Sequence, residues 1–332
     1  MIKIVQLQHD LDGWQLTDVR VKAISFDTDD PRTKNNESCP PEMLRQVIRD
    51  MGLEGASVAI AISGPSVIMK PLDMPWMSDD ELAGHLEWEV ERYLPYERED
   101  VYWDYFVPER PQRDRSSAMR VYLVAAKKDM VDQRVGLVKE AGFVPVVVDL
   151  DCVALANMHA LNVSGFVEAP ELVINVGPSG LNIITVGGGE YFAMRDATLG
   201  GDWSLDLLKE SVPYLKNGEA GVNGRYFETA GDNVELEDVC REILYEVRRA
   251  IDDCHSCEGG QMVQQVWISG GYAHLPGLVA SLSSHLHVPV NIIDPFRNIN
   301  CTAMEGKEDK RSALSSVAAV AVGLALRCNH GQ

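Results

Sequence analysis

The hydrophobic and polar positions divide the chain into short, well-punctuated elements. Two strand-like runs open it, Ile2–Gln8 and Trp14–Ala23, and Asp10-Leu-Asp-Gly13 between them predicts a hairpin turn. The polar stretch Asp27–Pro41, rich in Asp, Asn and Pro, predicts a loop. From Pro41 to Met51 the apolar residues Leu44, Val47, Ile48 and Met51 share one helical face, and Gly52 stops the helix. Ala56–Ile62 is apolar and ends at Ser63-Gly64-Pro65, the pattern of a buried strand.

A distinct unit follows at residues 65–150. Val67–Met74 reads as a strand, and Ser78-Asp-Asp-Glu81 is a capping box that opens a helix running to Leu94. Leu82, Leu86 and Val90 form its apolar stripe, and Pro95 ends it. Strands at Val101–Val107 and Met119–Ala125, a helix at Asp129–Ala141 and a strand at Val144–Leu150 complete a β-α-β-β-α-β order. That order predicts a small two-layer α+β subdomain.

The second half opens with a connecting helix, Asp151–Leu161. A three-strand meander follows: Leu172–Val176, Leu181–Val186 and Tyr191–Arg195, turning at Gly177–Gly180 and Gly187–Glu190. Helices are predicted at about Trp203–Leu215, Glu235–Cys254, Pro276–His287 and Ser312–Arg327. Strands are predicted at Val263–Ile268, ending in Ser269-Gly-Gly271, and at Val288–Ile293. Each half thus reads as strands, a glycine turn and a helix. The first half lacks the opening strand of the second, so a duplicated fold with its first strand missing is the expectation.

Charge narrows the function classes. Thirty Lys and Arg stand against 50 Asp and Glu, a formal net charge of −20 over 332 residues. That balance opposes nucleic-acid binding, which needs a basic footprint. It also opposes direct docking on an anionic membrane. No secretory signal is legible at the N-terminus, and the apolar run Val317–Leu326 is too short to span a bilayer. Seven scattered cysteines fit a reduced cytoplasmic protein.

The more specific residues are Ser66-Val-Ile-Met-Lys70, Met74-Pro75, Glu87-Trp-Glu-Val-Glu-Arg-Tyr-Leu-Pro95 and Ala125-Ala-Lys-Lys-Asp129. Glu140-Ala-Gly-Phe143, Val148-Asp149, Leu199-Gly-Gly201, Ser269-Gly-Gly271, Leu275-Pro-Gly-Leu278 and Ala321-Val-Gly-Leu-Ala325 continue the pattern. Together they resemble the type IV pilus assembly PilM family, within the actin-like ATPase superfamily and related to FtsA. The resemblance spans nearly the whole chain, and the helix end E-x-E-x-E-R-Y-x-P is its most distinctive part.

The resemblance implies an α/β, actin-like two-lobed fold with an inserted 1C-type subdomain. Residues 1–64 and the connecting helix at 151–168 would belong to the first lobe, 169–305 to the second, and 306–332 would return to the first. It implies ATP with Mg²⁺ in the cleft between the lobes. Asn175, Gly177, Ser179, Gly180, Ser269, Gly270 and Gly271 match the turns that would hold it. Two departures argue against catalysis. The family's first phosphate loop is not present ahead of Met1-Ile-Lys-Ile, through truncation of the chain or native loss, and Asn175 replaces an aspartate, so no charge there holds a metal. Pro178 also removes an amide donor. The expectation is a degenerate site and no enzymatic activity.

The partner implied is the short cytoplasmic tail of a PilN-like inner-membrane protein, along with other pilus assembly proteins and self-association. The protein would lie in the cytoplasm, peripheral to the inner membrane, with no insertion of its own. By resemblance, Glu91, Arg92, Tyr93, Leu94 and Pro95 lie near the groove that takes the tail. Three other features read as structural. Cys254-His-Ser-Cys257 is a thiol pair at a helix end, His85 and His274 are lone histidines, and Arg110, Arg113 and Arg115 sit on a solvated loop. An ATP-switched actin-like enzyme is the rival class, and a secretion or division scaffold is the rival within this superfamily.

Overall fold

The computed structural model describes residues 1–22, 41–107, 118–163, 169–177, 180–187, 193–199, 234–256, 262–302 and 308–327. The helix expected at Trp203–Leu215, the Arg110–Arg115 loop, Ser179, Gly201 and Cys257 lie outside these residues.

The chain opens with β1 (Ile2–Asp10) and β2 (Gly13–Lys22), an antiparallel hairpin. Its tip is fixed locally: Asp12 N–H donates to Asp10 Oδ1 at 2.9 Å, and Gly13 adopts φ +108°. Next come α1 (Pro41–Met51) and β3 (Ser57–Ile62). The inserted unit contains β4 (Val67–Met74), α2 (Asp79–Tyr93), β5 (Val101–Phe106) and β6 (Met119–Lys127), with strand order β4-β6-β5. Leu82, Leu86 and Val90 of α2 are buried against Val121, Leu123 and Ala125 of β6, so the apolar stripe becomes this unit's core. The capping box forms as expected: the Glu81 carboxylate accepts from Ser78 N at 2.9 Å and Ser78 Oγ at 2.8 Å.

The next segment departs from the sequence expectation. After α3 (Lys128–Ala141), β7 (Val144–Leu150) does not join the inserted sheet. It pairs in parallel with β3 instead, so the chain has already returned to the first lobe. Linear order gives β-α-β-β-α-β either way. Parallel pairing needs a long crossover, and the whole inserted unit supplies it.

α4 (Asp151–Asn162) leads to the second lobe. Its sheet contains β8 (Glu171–Gly177), β9 (Gly180–Val186), β10 (Ala193–Ala197), β11 (Gln265–Ser269) and β12 (Val290–Ile292), in the order β10-β9-β8-β11-β12. α5 (Val234–Ser256) and α6 (Leu278–Leu286) belong to this lobe. β8 is central, and Leu172, Val173, Ile174 and Val176 are fully buried. The described residues of the first lobe supply β2-β1 and β3-β7, with no strand linking β1 to β3. Burial reflects this. Val266 and Ile268 of β11 are fully buried, whereas Val58, Ala59 and Ile60 of β3 are half-buried.

α7 (Glu308–Arg327) packs on β1, β3 and α4, which ties the end of the chain to the first lobe. The crossing with α4 is tight. A Cβ on Gly323 would lie 1.8 Å from the Ala154 carbonyl oxygen, so only glycine lets the two backbones approach this closely.

Candidate functional site

The phosphate turns expected from the sequence come together at the ends of β8, β9 and β11. Gly177 and Gly180 are opposite each other at the β8–β9 connection, and Asn175 faces Asn182 across the ladder. Asn175, Gly177 and Gly180 are half-buried, while Ser269, Gly270 and Gly271 are buried. Their polar groups are already engaged. Ser269 Oγ donates to Ile174 O at 3.0 Å, and Gly270 N–H donates to Ser316 O of α7 at 2.7 Å. Gly270 has φ +98°, and a Cβ there would meet Val176 O at 2.3 Å. The glycines at 180 and 270 serve close backbone packing within the fold: a Cβ on Gly180 would meet Ala197 O at 2.4 Å. Ser179 lies outside the described residues.

Charged groups at the same junction were missed by sequence reasoning. Asp151, in the first turn of α4, is hydrogen-bonded by Ser63 and lies beside Lys3 of β1 and Asp196 of β10. Burial raises the Asp151 carboxyl above its ordinary value, opposed by the Ser63 bond. Burial likewise lowers the Lys3 ammonium, with Asp151 pulling the other way. The available signal was an acidic residue directly after a strand, at a helix N-terminus. Among the described residues no group of three or more His, Cys, Asp or Glu is placed to hold a metal.

A cavity of about 1030 Å³ lies between the inserted unit and the two lobes. Its apolar walls include Tyr105 of β5, Val131 and Val135 of α3, Val148 of β7, Val153 of α4, and Ile184 and Val186 of β9. These residues come from separate elements spread along the chain, which is why no local motif marked them. One end is polar. Arg327 Nε lies 3.0 Å from Asp149 Oδ2, and Asp149 Oδ1 accepts the Leu150 N–H at 2.8 Å. Burial raises the Asp149 carboxyl, while the Leu150 amide and Arg327 oppose the shift. Asn157 Nδ2 is buried there with no hydrogen-bond partner among the described residues, an arrangement that costs roughly 1–3 kcal/mol while it stays unsatisfied. His159 also lines the cavity. Its Nε2 is 2.8 Å from Glu171 Oε2, which Trp267 Nε1 also reaches at 2.8 Å.

The five residues expected to shape the groove do not line this cavity. Glu91 is exposed, and Arg92 pairs with Glu89 at 3.1 Å. Tyr93 packs on the core of the inserted unit, Leu94 is buried in it, and Pro95 is exposed where the helix ends. They terminate α2, away from the residues of β5 and α3 that line the cavity.

Comparison with known proteins agrees with this architecture. The solved structure of a PilM–PilN type IV pilus biogenesis complex matches with a TM-score of 0.75 at 21% identity, covering 98% of this chain and 94% of that one. The ethanolamine utilization protein EutJ from Carboxydothermus hydrogenoformans matches over 58% of this chain and 59% of its own, at 16% identity and a TM-score of 0.34. The archaeal actin homolog Ta0583 matches over 60% of this chain and 66% of its own, at 16% identity and a TM-score of 0.36. The first of these shows the fold that this chain shares with PilM. Among the described residues no helix is long and apolar enough to cross a membrane. A sequence model of the family described as type IV pilus assembly protein PilM matches residues 1–329, and the chain belongs to that family.

Proposed function

We propose that this protein is a cytoplasmic scaffold of type IV pilus assembly, and that it holds the short tail of a PilN-like inner-membrane protein in the groove beside the inserted unit. The observation that carries this reading is the 1030 Å³ cavity, apolar along its walls and polar at one end. An extended tail suits such a groove: apolar side chains fill it, and backbone groups pair with a strand edge. Among the described residues β5 is one of the two outer strands of its sheet, and it supplies that edge. The Asn157 amide, without a partner among the described residues, is a donor in the same cavity for a polar group of the tail. The matched solved structure is a complex of PilM with PilN, which supports the choice of partner.

Catalysis is no part of this reading. The turn residue at 175 carries no charge for a metal, and Ser269 and Gly270 already bond within the fold. The protein stays at the inner membrane through its partner.

The test is a titration with a peptide of the PilN-like tail. Val135→Arg places a charge in the half-buried groove wall and is expected to weaken binding at least tenfold. Arg92→Glu, at the end of α2, is expected to leave it unchanged. The reverse pattern would move the site to the end of α2 and overturn the reading.

A further inference from the structure

Three polar side chains form a row across the second-lobe sheet. Asn175, Asn182 and Asp196 are cross-strand neighbours on β8, β9 and β10. Asn175 Nδ2 donates to Asn182 Oδ1 at 2.9 Å, and Asn182 Nδ2 donates to Asp196 Oδ1 at 3.0 Å. The other carboxylate oxygen, Asp196 Oδ2, accepts the Gly64 N–H at 2.8 Å. Gly64 follows β3, so this last bond runs from the second lobe to the first.

The chain has a direction: each donor points toward the Asp196 carboxylate. Hydrogen bonds in such a series polarise one another, and a charged acceptor at the end makes the terminal bond strong. The receiving turn is also held from its own side. Ser63, next to Gly64, bonds Asp151 at the start of α4. The Ser63-Gly64 turn is therefore fastened to α4 in one lobe and to β10 in the other. Gly64 has φ +115°, a conformation that glycine adopts without strain.

We propose that Asp196 is a latch: its carboxylate, backed by Asn182 and Asn175, holds the two lobes together across the cleft without a bridging nucleotide. An anion belonging to the protein makes this cross-lobe bond, beside the Gly270–Ser316 bond to α7, and it uses the same Asn175 that the phosphate turn offers. Lobe closure is then a constant property of the protein and does not respond to ATP.

Hydrogen exchange on the full chain tests this, read at the peptide containing Gly64, with Mg-ATP as the probe nucleotide. The wild-type protein is expected to show the same protection there with and without Mg-ATP. Asp196→Ala is expected to speed exchange at that peptide at least tenfold while peptides of β8 and β9 stay protected. Asp196→Asn keeps one acceptor for two donors and is expected to fall between. If Asp196→Ala fails to fold, Asn182→Ala serves as the second variant, because it leaves the carboxylate in place but unbacked, with a smaller acceleration at the same peptide. Unchanged exchange at Gly64 in the variant that folds would overturn the latch. So would Mg-ATP-induced protection of that peptide in the wild-type protein.

Discussion

Gly323→Ala is the sharpest test of the packing between α4 and α7. The new Cβ would lie 1.8 Å from Ala154 O, 2.5 Å from Ala154 C and 3.0 Å from its Cα. The obstacle is helix backbone, so no side chain can rotate away. An ordinary carbon–oxygen contact is near ~3.3 Å, so α4 and α7 must part by about 1.5 Å. A gap of even ~1 Å forfeits a quarter to a half of the dispersion energy across the interface. The residues affected are Ala154, Leu155, Ala318, Ala319 and Val322, all buried. Overpacking of this kind costs about 1–3 kcal/mol and sometimes more, while alanine returns up to ~1 kcal/mol of helix propensity. A net loss of roughly 2–3 kcal/mol is expected, or a fall in Tm of about 3–4 °C. Gly84→Ala is the matched control: the same change inside a helix, with nothing within 4 Å of the new Cβ. It is expected to stabilise by about 0.5–1 kcal/mol. Thermal and urea unfolding followed by circular dichroism compare the two. Equal effects of the same sign would refute the close crossing of α4 and α7.

Further outcomes are expected elsewhere. Burial works against the charged form of Glu171, but the bonds from His159 and Trp267 outweigh it and hold the carboxyl below its ordinary value. Its contribution to stability is therefore present above the unfolded-state value of ~4.3 and is lost as pH falls through the lower folded value. Glu171→Gln should flatten the acid limb of an unfolding curve, and an unchanged limb would contradict the assignment. Leu86 is fully buried in the inserted unit, and Leu86→Ala should destabilise that unit by about 2–5 kcal/mol. A loss under ~1 kcal/mol in urea unfolding would argue that this core is not tightly packed. Peptides of β3 should exchange amide hydrogens faster than those of β11, because one edge of β3 lacks a described partner strand. Equal rates would mean that the edge is covered.

Local rules recovered the elements that local physics controls. Asp10-Leu-Asp-Gly13 announced the hairpin because an aspartate side chain and a left-handed glycine build that turn from four residues. The Ser78–Glu81 box and Pro95 marked both ends of α2 for the same reason. The bounds of α1 and β4 were legible, as was the order of the second-lobe meander. Sheet membership was not legible. β7 carries an ordinary strand pattern, and only the return of the chain to β3 decides where it pairs. The site was harder still. Gly270 was legible as a turn glycine, but the Ser316 carbonyl that takes its amide is on α7, far away in sequence. The cavity collects Tyr105, Val135, Val148 and Ile184 from separate elements. The conspicuous Glu91–Pro95 motif, by contrast, ends a helix within its own subdomain.

The most direct test is the affinity of the full chain for the PilN-like tail peptide, measured by calorimetry with and without Mg-ATP. Saturable binding with the same Kd in both conditions, weakened at least tenfold by Val135→Arg, is the result a nucleotide-independent groove predicts. A Kd that falls severalfold on adding Mg-ATP would couple the cleft to the groove and contradict the account.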